Sequence, residues 1–390
     1  MDRARTPGNP VPRLRAVASF LALLLGVVAP AGSAEAATGS RGVVVAVGDS
    51  FVSGEAARWL GNSRGGGASA NGTDRMCVER WWGCELRPSE VYRPGPTFGC
   101  HRARSAPVEI VAVDFSRRVN LACSGATTGD ISESPASGPA SGLPSQSDRL
   151  ETVASRERVT TVLFTAGAND LGFSEIVARC AEAWISYRPD GCRRLGQITL
   201  EERMPSVRRG IASSMDEVIS SMARAGYPRQ DWDLVVSGYA APLPPGSRYR
   251  YPEGSPRRLL PGGCPFTGAD SDWAGGVVAS ELNAALSRAA MERGGRFLDL
   301  SSAFDGHRVC ETGSNQVGDA GPSARTAEWF RFLVPCCGGE KRESLHPNAY
   351  GQRAIAKCLA LFLAERSKSR RCSARSGNGF EGLHLASVSP

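Results

Sequence analysis

The sequence predicts an α/β protein, with a mostly parallel five-stranded sheet, helices on both faces and loop insertions over it. Three observations carry that reading. Short apolar, β-rich runs recur at 43–47, 119–122, 159–165, 234–237 and 296–300. Helical patterns stand between and after them, at 107–115, 204–225, 273–293 and 349–364. Ser50, Gly125 and Asn169 each fall just beyond the end of an apolar run. The carboxyl ends of strands are where sheets of this kind bind ligands.

Taken in order, residues 1–37 stand apart from the fold. Arg3, Arg5, Arg13 and Arg15 form a basic start, and residues 16–28 form an apolar stretch too short to span a bilayer comfortably. Ala34-Glu35-Ala36 is a small-x-small site. This is the layout of a secretory signal cut near Ala36 or Ala37, with a membrane anchor as the competing reading. No later stretch is apolar enough for a membrane span, so a secreted, extracellular protein without stable membrane insertion is expected.

Residues 38–372 read as one domain. Residues 58–99 are a Gly-rich, Cys-bearing insertion with Trp59, Trp81 and Trp82. Residues 132–146 are rich in Ser, Pro and Gly and read as a loop, and 242–266 are Pro-rich and basic. Long exposed loops of this kind often wall a binding site. Residues 373–390 are polar and read as a C-terminal tail.

Charge excludes little except nucleic acid. The chain carries 46 Lys and Arg against 39 Asp and Glu, a net +7. Without residues 1–37, which hold four Arg and two acids, the count is 42 against 37, or +5. The arginines are scattered and no nucleic-acid motif is present. Twelve cysteines, none before residue 38, suit disulfides in an exported chain. Cys77/Cys84, Cys100/Cys123, Cys180/Cys192 and Cys358/Cys372 are local pairs, while Cys264, Cys310, Cys336 and Cys337 have no assigned pairing. Zinc is the competing use of cysteine, but there is no CxxC pair and only four His. No metal or cofactor is expected.

The chemistry centres on Gly48-Asp49-Ser50-Phe51-Val52-Ser53-Gly54, directly after the first apolar run. A serine there is held by the scaffold yet open to a cleft. A serine hydroxyl needs a base to take its proton and N–H donors to hold an oxyanion. His is the usual base because its pKa lies near working pH. His384 falls in the tail and His101 beside Cys100. His307 lies in a loop near Cys310, as a plain polar residue or at the edge of the cleft. His346 precedes Pro347-Asn348-Ala349-Tyr350-Gly351, the start of the last helix, and is the preferred base.

Its other ring nitrogen needs an acceptor. Glu343, three residues earlier, can turn toward the same point; a backbone carbonyl such as that of Ser344 can also serve. Three groups are candidate oxyanion donors: the amide of Ser50, the amide of Gly125 and the side chain of Asn169. A simple turn at Gly125 and a helix cap at Asn169 are the plain alternatives.

These segments, in this order, resemble the SGNH (GDSL) hydrolases. The resemblance rests on Gly48-Asp49-Ser50, Gly125, Gly167-x-Asn169-Asp170 and Leu345-His346-Pro347-Asn348, and spans about residues 43–364. It implies a flavodoxin-like three-layer α/β/α sandwich and esterase or lipase activity by two-step acyl transfer, with no metal or cofactor. It implies Ser50 as nucleophile, His346 as base and an oxyanion hole of Ser50, Gly125 and Asn169. The likeness to secreted bacterial members further implies the pairs Cys100–Cys123 and Cys180–Cys192. Two departures stand out. The family's usual acid is an Asp where this chain has Glu343, and some members use a carbonyl instead. The insertion at 58–99 also exceeds a compact member.

The reading is a secreted serine ester hydrolase acting as a monomer on a small-molecule or lipid ester. Trp59, Trp81, Trp82 and Phe173 could line an acyl groove, stack on a sugar or sit in the core. A carbohydrate deacetylase on the same site and a non-catalytic secreted binding protein are therefore the rivals.

Overall fold

The computed structural model describes residues 41–62, 77–81, 83–86, 91–93, 98–188, 190–316, 323–334, 340–375 and 377–388. The expected signal segment, Trp82, Cys336 and Cys337 lie outside the described residues, as do the side chains of Cys77 and Cys84.

In chain order the strands are β1 (Arg41–Gly48), β2 (Cys77–Arg80), β3 (Gly83–Leu86), β4 (Phe115–Asn120), β5 (Val159–Thr165), β6 (Asp233–Ser237), β7 (Arg296–Ser302), β8 (Ser369–Ser373) and β9 (His384–Ala386). The helices are α1 (Ser50–Ser53), α2 (Pro107–Ile110), α3 (Gly129–Ser132), α4 (Gln146–Ala154), α5 (Ala168–Leu171), α6 (Phe173–Ile185), α7 (Arg193–Arg224), α8 (Gly268–Trp273), α9 (Ala279–Glu292), α10 (Glu340–Glu343) and α11 (Ala349–Ala364).

One sheet organises the domain, in the order β4-β1-β5-β6-β7-β8-β9. The strands from β4 to β8 pair in parallel, and β9 runs antiparallel to β8. Each parallel neighbour needs a crossover, which the helices supply. Helices α2 and α11 pack on each other and on the sheet, while α3, α4 and α9 pack on the long helix α7. β1 and β5 are buried almost throughout, as a strand covered on both faces must be. The strands β4-β1-β5-β6-β7 have the flavodoxin-like order, reversing at β1, and the crevice at that reversal is where such sheets bind ligands. Among the described residues no helix is long and apolar enough to cross a membrane.

Several sequence expectations shift. The sheet has seven strands rather than five, because β8 and β9 extend it beyond β7. Residues 373–390, expected as a tail, therefore include the end of β8 and all of β9. The disulfide Cys358–Cys372 ties β8 to α11, and β8 covers what would be an open edge at β7. The strand expected at 119–122 is β4, Phe115–Asn120. As an edge strand it is buried only at its ends, Phe115 and Asn120, with Ser116 and Arg117 exposed between them, which hides it from an apolar-run criterion. The helix expected from 204 starts at Arg193 and carries Pro205 inside it. Proline removes one helix bond, yet Leu200 and Met204 are buried and hold the preceding turns to the core. The helix expected over 273–293 starts earlier, at Gly268, and runs from α8 through a π turn at Ala274–Val278 into α9.

Four disulfides are described: Cys100–Cys123, Cys180–Cys192, Cys264–Cys310 and Cys358–Cys372. They include three of the four local pairs, and they give Cys264 and Cys310 their partners. In the 58–99 insertion, β2 and β3 form an antiparallel hairpin.

Candidate active site

β1 delivers its last residues into the crevice through a turn that only glycine suits. Gly48 has φ of 143°, and a Cβ there would stand 2.0 Å from the Thr165 carbonyl oxygen of β5. The Gln146 side chain clamps both backbone groups of Gly48, accepting from its N–H at 2.7 Å and donating to its C=O at 2.9 Å. Asp49 caps α1 by accepting from the Phe51 amide at 3.0 Å. The Tyr239 hydroxyl donates to the other Asp49 oxygen. Burial pushes the Asp49 carboxyl up to about 7, against the lowering effect of the Tyr239 and Phe51 hydrogen bonds. Ser50, the first residue of α1, is thereby fixed with its hydroxyl toward the cleft.

His346 Nε2 lies 2.7 Å from Ser50 Oγ. The His346 backbone is pinned on both sides: Arg331 N–H donates to its carbonyl at 2.8 Å, and its own N–H donates to the Glu343 carbonyl at 3.2 Å. Just beyond, Asn348 caps α11 through the amides of Tyr350 and Gly351. Its Nδ2 also donates to the Glu328 carbonyl at 2.7 Å. The His346 Nδ1 faces the Ser344 carbonyl oxygen at 3.0 Å. That bond fixes the tautomer with the proton on Nδ1, which leaves Nε2 free to accept from the serine. Burial holds the imidazole below its ordinary pKa, against the raising effect of the Glu55 charge and the Ser344 carbonyl. A neutral, accepting ring is thereby favoured.

Glu343 is not the partner of that ring. Its buried carboxylate accepts from Arg58 Nε at 2.6 and 2.9 Å, Trp59 Nε1 at 2.7 Å and Tyr92 OH at 2.8 Å. A buried carboxylate so fully engaged has no reason to turn to His346. Of the two acceptors weighed from the sequence, the carbonyl stands at Nδ1.

Of the three expected oxyanion donors, Ser50 and Asn169 line the same cavity, and the Asn169 side chain reaches Ala126, the neighbour of Gly125. Among the described residues, the amides of Ser50 and Gly125 donate to no acceptor. Gly125 has φ of 81° with open space where a Cβ would go, so the backbone conformation rather than crowding selects glycine. Asn169 Nδ2 donates one hydrogen to the Ala126 carbonyl at 2.8 Å, which orients the amide and leaves its second N–H available. Asp170 is engaged by Thr128. It accepts from the Thr128 amide and hydroxyl, fastening the loop after Gly125 to α5.

An apolar cavity opens beside the serine. Its empty volume is about 1060 Å3, including the space open to solvent. Phe173, Ile176 and Val177 of α6, Leu243 and Phe266 of the Pro-rich loop, and Leu282 of α9 are among its walls. Among the described residues, of the aromatics singled out from sequence only Phe173 lines it. Trp59 is buried with the Arg58 and Arg331 guanidinium groups over its ring, and Trp81 is 92% exposed.

The other histidines fall elsewhere. His307 is buried, stacked on Trp329 with ring centroids 3.8 Å apart, and bonds the Ala327 carbonyl through Nδ1. It does not line the cavity. His384 bonds the Gly382 carbonyl near β9. His101 meets Glu55, a residue with no signal in the sequence; Gln146 and Tyr239 were equally silent there. Among the described residues no group of three His, Cys, Asp or Glu is gathered that could hold a metal ion.

Comparison with known proteins places these motifs in context. The GDSL-like lipase/acylhydrolase family matches residues 46–354. Lipase 2 of Streptomyces coelicolor is 32% identical over 81 residues, 21% of this chain, and the match covers only 22% of that protein's length. Two solved structures are similar in outline. One is an extracellular lipase from Streptomyces rimosus, with TM-score 0.47 and 18% identity over 83% of this chain and 99% of that one. The other is a phospholipase A1 from Streptomyces albidoflavus, with TM-score 0.43 and 20% identity over 84% of this chain and 100% of that one.

Proposed function

Because the chain belongs to the GDSL-like lipase/acylhydrolase family, we propose that it is a secreted serine ester hydrolase acting on lipid or other apolar acyl esters. The observation that carries the reading is the Ser50–His346 contact of 2.7 Å at the mouth of an apolar cavity. Ser50 Oγ attacks the ester carbonyl while His346 Nε2 takes its proton. The oxyanion is held by the amides of Ser50 and Gly125 and by the free N–H of Asn169. The tetrahedral intermediate collapses, and His346 gives its proton to the leaving alcohol. Water then attacks the acyl-serine, again with His346 as base, and frees the acid. The Ser344 carbonyl takes the orienting role that a carboxylate fills in a full triad.

Two further features support the details. The cavity beside Ser50 is walled by Phe, Ile, Leu, Val and Ala side chains, which suit an acyl chain better than the hydroxyl-rich surface of a sugar. Four disulfides suit an oxidising, extracellular setting. The test is hydrolysis of p-nitrophenyl esters from acetate to palmitate by the oxidised protein, with Ser50→Ala alongside. Turnover that rises with acyl length and disappears in the variant is the expected result. Turnover limited to acetate would move the assignment to a deacetylase, and none on any ester would refute the esterase reading.

A further inference from the structure

A second buried carboxylate, that of Glu55, stands beside the serine turn, and the reaction as described does not use it. Glu55 follows the α1 turn directly and its side chain is fully buried. Its backbone N–H donates to the Ser50 carbonyl at 3.3 Å. The Gln352 side chain donates to the Glu55 carbonyl at 3.2 Å and to the Pro347 carbonyl at 3.0 Å. Glu55 is thus strapped to both halves of the site, the serine turn and the residue after His346. Both of its carboxylate oxygens face His101 Nδ1, at 2.7 and 2.9 Å.

His101 is itself built in rather than incidental. It adopts φ of 47°, stacks on Tyr92 with centroids 4.4 Å apart, and follows the disulfide-bonded Cys100. Glu343, three residues before His346, is already engaged by Arg58, Trp59 and Tyr92.

From this arrangement we infer that Glu55, anchored by His101, is a positioning residue whose charge stabilises the His346 imidazolium during catalysis, the part a triad carboxylate plays by direct contact. The inference rests on His346 being the base. Removing half of a buried pair is costly, so the anchor matters. Burial raises the Glu55 carboxyl, but the His101 hydrogen bond and the charges of His101 and His346 outweigh it and hold the group below its ordinary pKa. Glu55 is also the strongest influence raising His346, ahead of Glu343, while His101 lowers it.

The test is the pH profile of kcat on a p-nitrophenyl ester. Glu55→Gln keeps an acceptor for His101 but removes the charge. A weaker base should lower the plateau roughly tenfold or more. The same loss should move the acid limb to lower pH, because an imidazolium without its counter-charge releases its proton sooner. A merely structural lesion lowers the plateau without moving the limb. Glu55→Asp should restore the limb, and Glu343→Gln should leave it closer to the wild-type position than Glu55→Gln does. A folded Glu55→Gln variant whose limb is unmoved overturns the proposal.

Should Glu55→Gln fail to fold, His101→Leu decides. It removes the His101 donor and charge from buried Glu55 and leaves only the Ser124 hydrogen bond, so the acid limb should steepen as a second proton is taken up. A single-proton limb at the wild-type position overturns the proposal. His346→Ala separates the two claims: activity surviving in that variant removes the base assignment itself, whatever Glu55 does.

Discussion

The apolar cavity makes a quantitative demand on substrate preference. Each methylene moved from water into it is worth about 0.8 kcal/mol, or roughly a fourfold gain in kcat/KM. Four methylenes, the step from butyrate to octanoate, give about 3 kcal/mol, or roughly 200-fold. The gain should appear in kcat/KM with little change in kcat, since the chain is bound alike in ground and transition states.

Ala241 and Val278 offer a way to close the space. Both line the cavity, and a Cβ at Gly275 would stand 3.7 Å from that of Ala241. Ala241→Phe and Val278→Phe should each flatten the chain-length gradient by about tenfold or more. Butyrate hydrolysis should hold within roughly threefold, because neither residue touches Ser50 or His346 chemistry. The assay is initial rates on p-nitrophenyl esters below KM, with thermal unfolding to verify folding. A wild-type gradient near zero, or an unchanged gradient in both folded variants, would refute the idea that this cavity holds the acyl chain.

Two other perturbations separate chemistry from scaffold. Asn169→Ala removes a side-chain oxyanion donor and should cut kcat by roughly 10²–10³. It also leaves the Ala126 carbonyl without its 2.8 Å partner, at about 1 kcal/mol of stability by urea unfolding; an unchanged kcat would remove Asn169 from the hole. Asp49 has a folded pKa of about 7 against 3.8 as reference, so its contribution to stability is full below about pH 3.8 and is lost as pH rises through 7. The difference in unfolding free energy between wild type and Asp49→Asn should therefore change across that window by up to about 4 kcal/mol. Parallel pH–stability curves for the two proteins would contradict it.

Much of this site was legible in the sequence because each motif sits where a strand ends. Ser50, Gly125 and Asn169 come from the ends of three strands that the sheet order makes neighbours, so locating those ends was enough to gather them. The helix over 349–364 was legible for a similar reason, with an Asn cap and an apolar pattern interrupted only by Gln352, Arg353 and Lys357. Helix α4 is short and begins inside a Ser/Pro/Gly-rich stretch, and α6 follows directly after Gly172, so neither announced itself.

Side-chain partners were harder to read than positions. Glu343 has the right spacing to meet His346, yet Arg58, Trp59 and Tyr92, more than 250 residues away in the chain, claim its carboxylate. Glu55, Gln146 and Tyr239 act through contacts of 46 to 190 residues in separation. Local pattern carries no trace of such pairings; only the folded sheet creates them.

The central claim is that Ser50 is the nucleophile, activated by His346. Its most direct test is intact-mass and peptide analysis after treatment with a p-nitrophenyl alkylphosphonate, which stops at the covalent phosphonyl-enzyme. One adduct on Ser50 is predicted, formed in step with loss of ester hydrolysis, absent in Ser50→Ala and strongly slowed in His346→Ala. A label on another residue, or hydrolysis that survives full labelling of Ser50, would contradict the account.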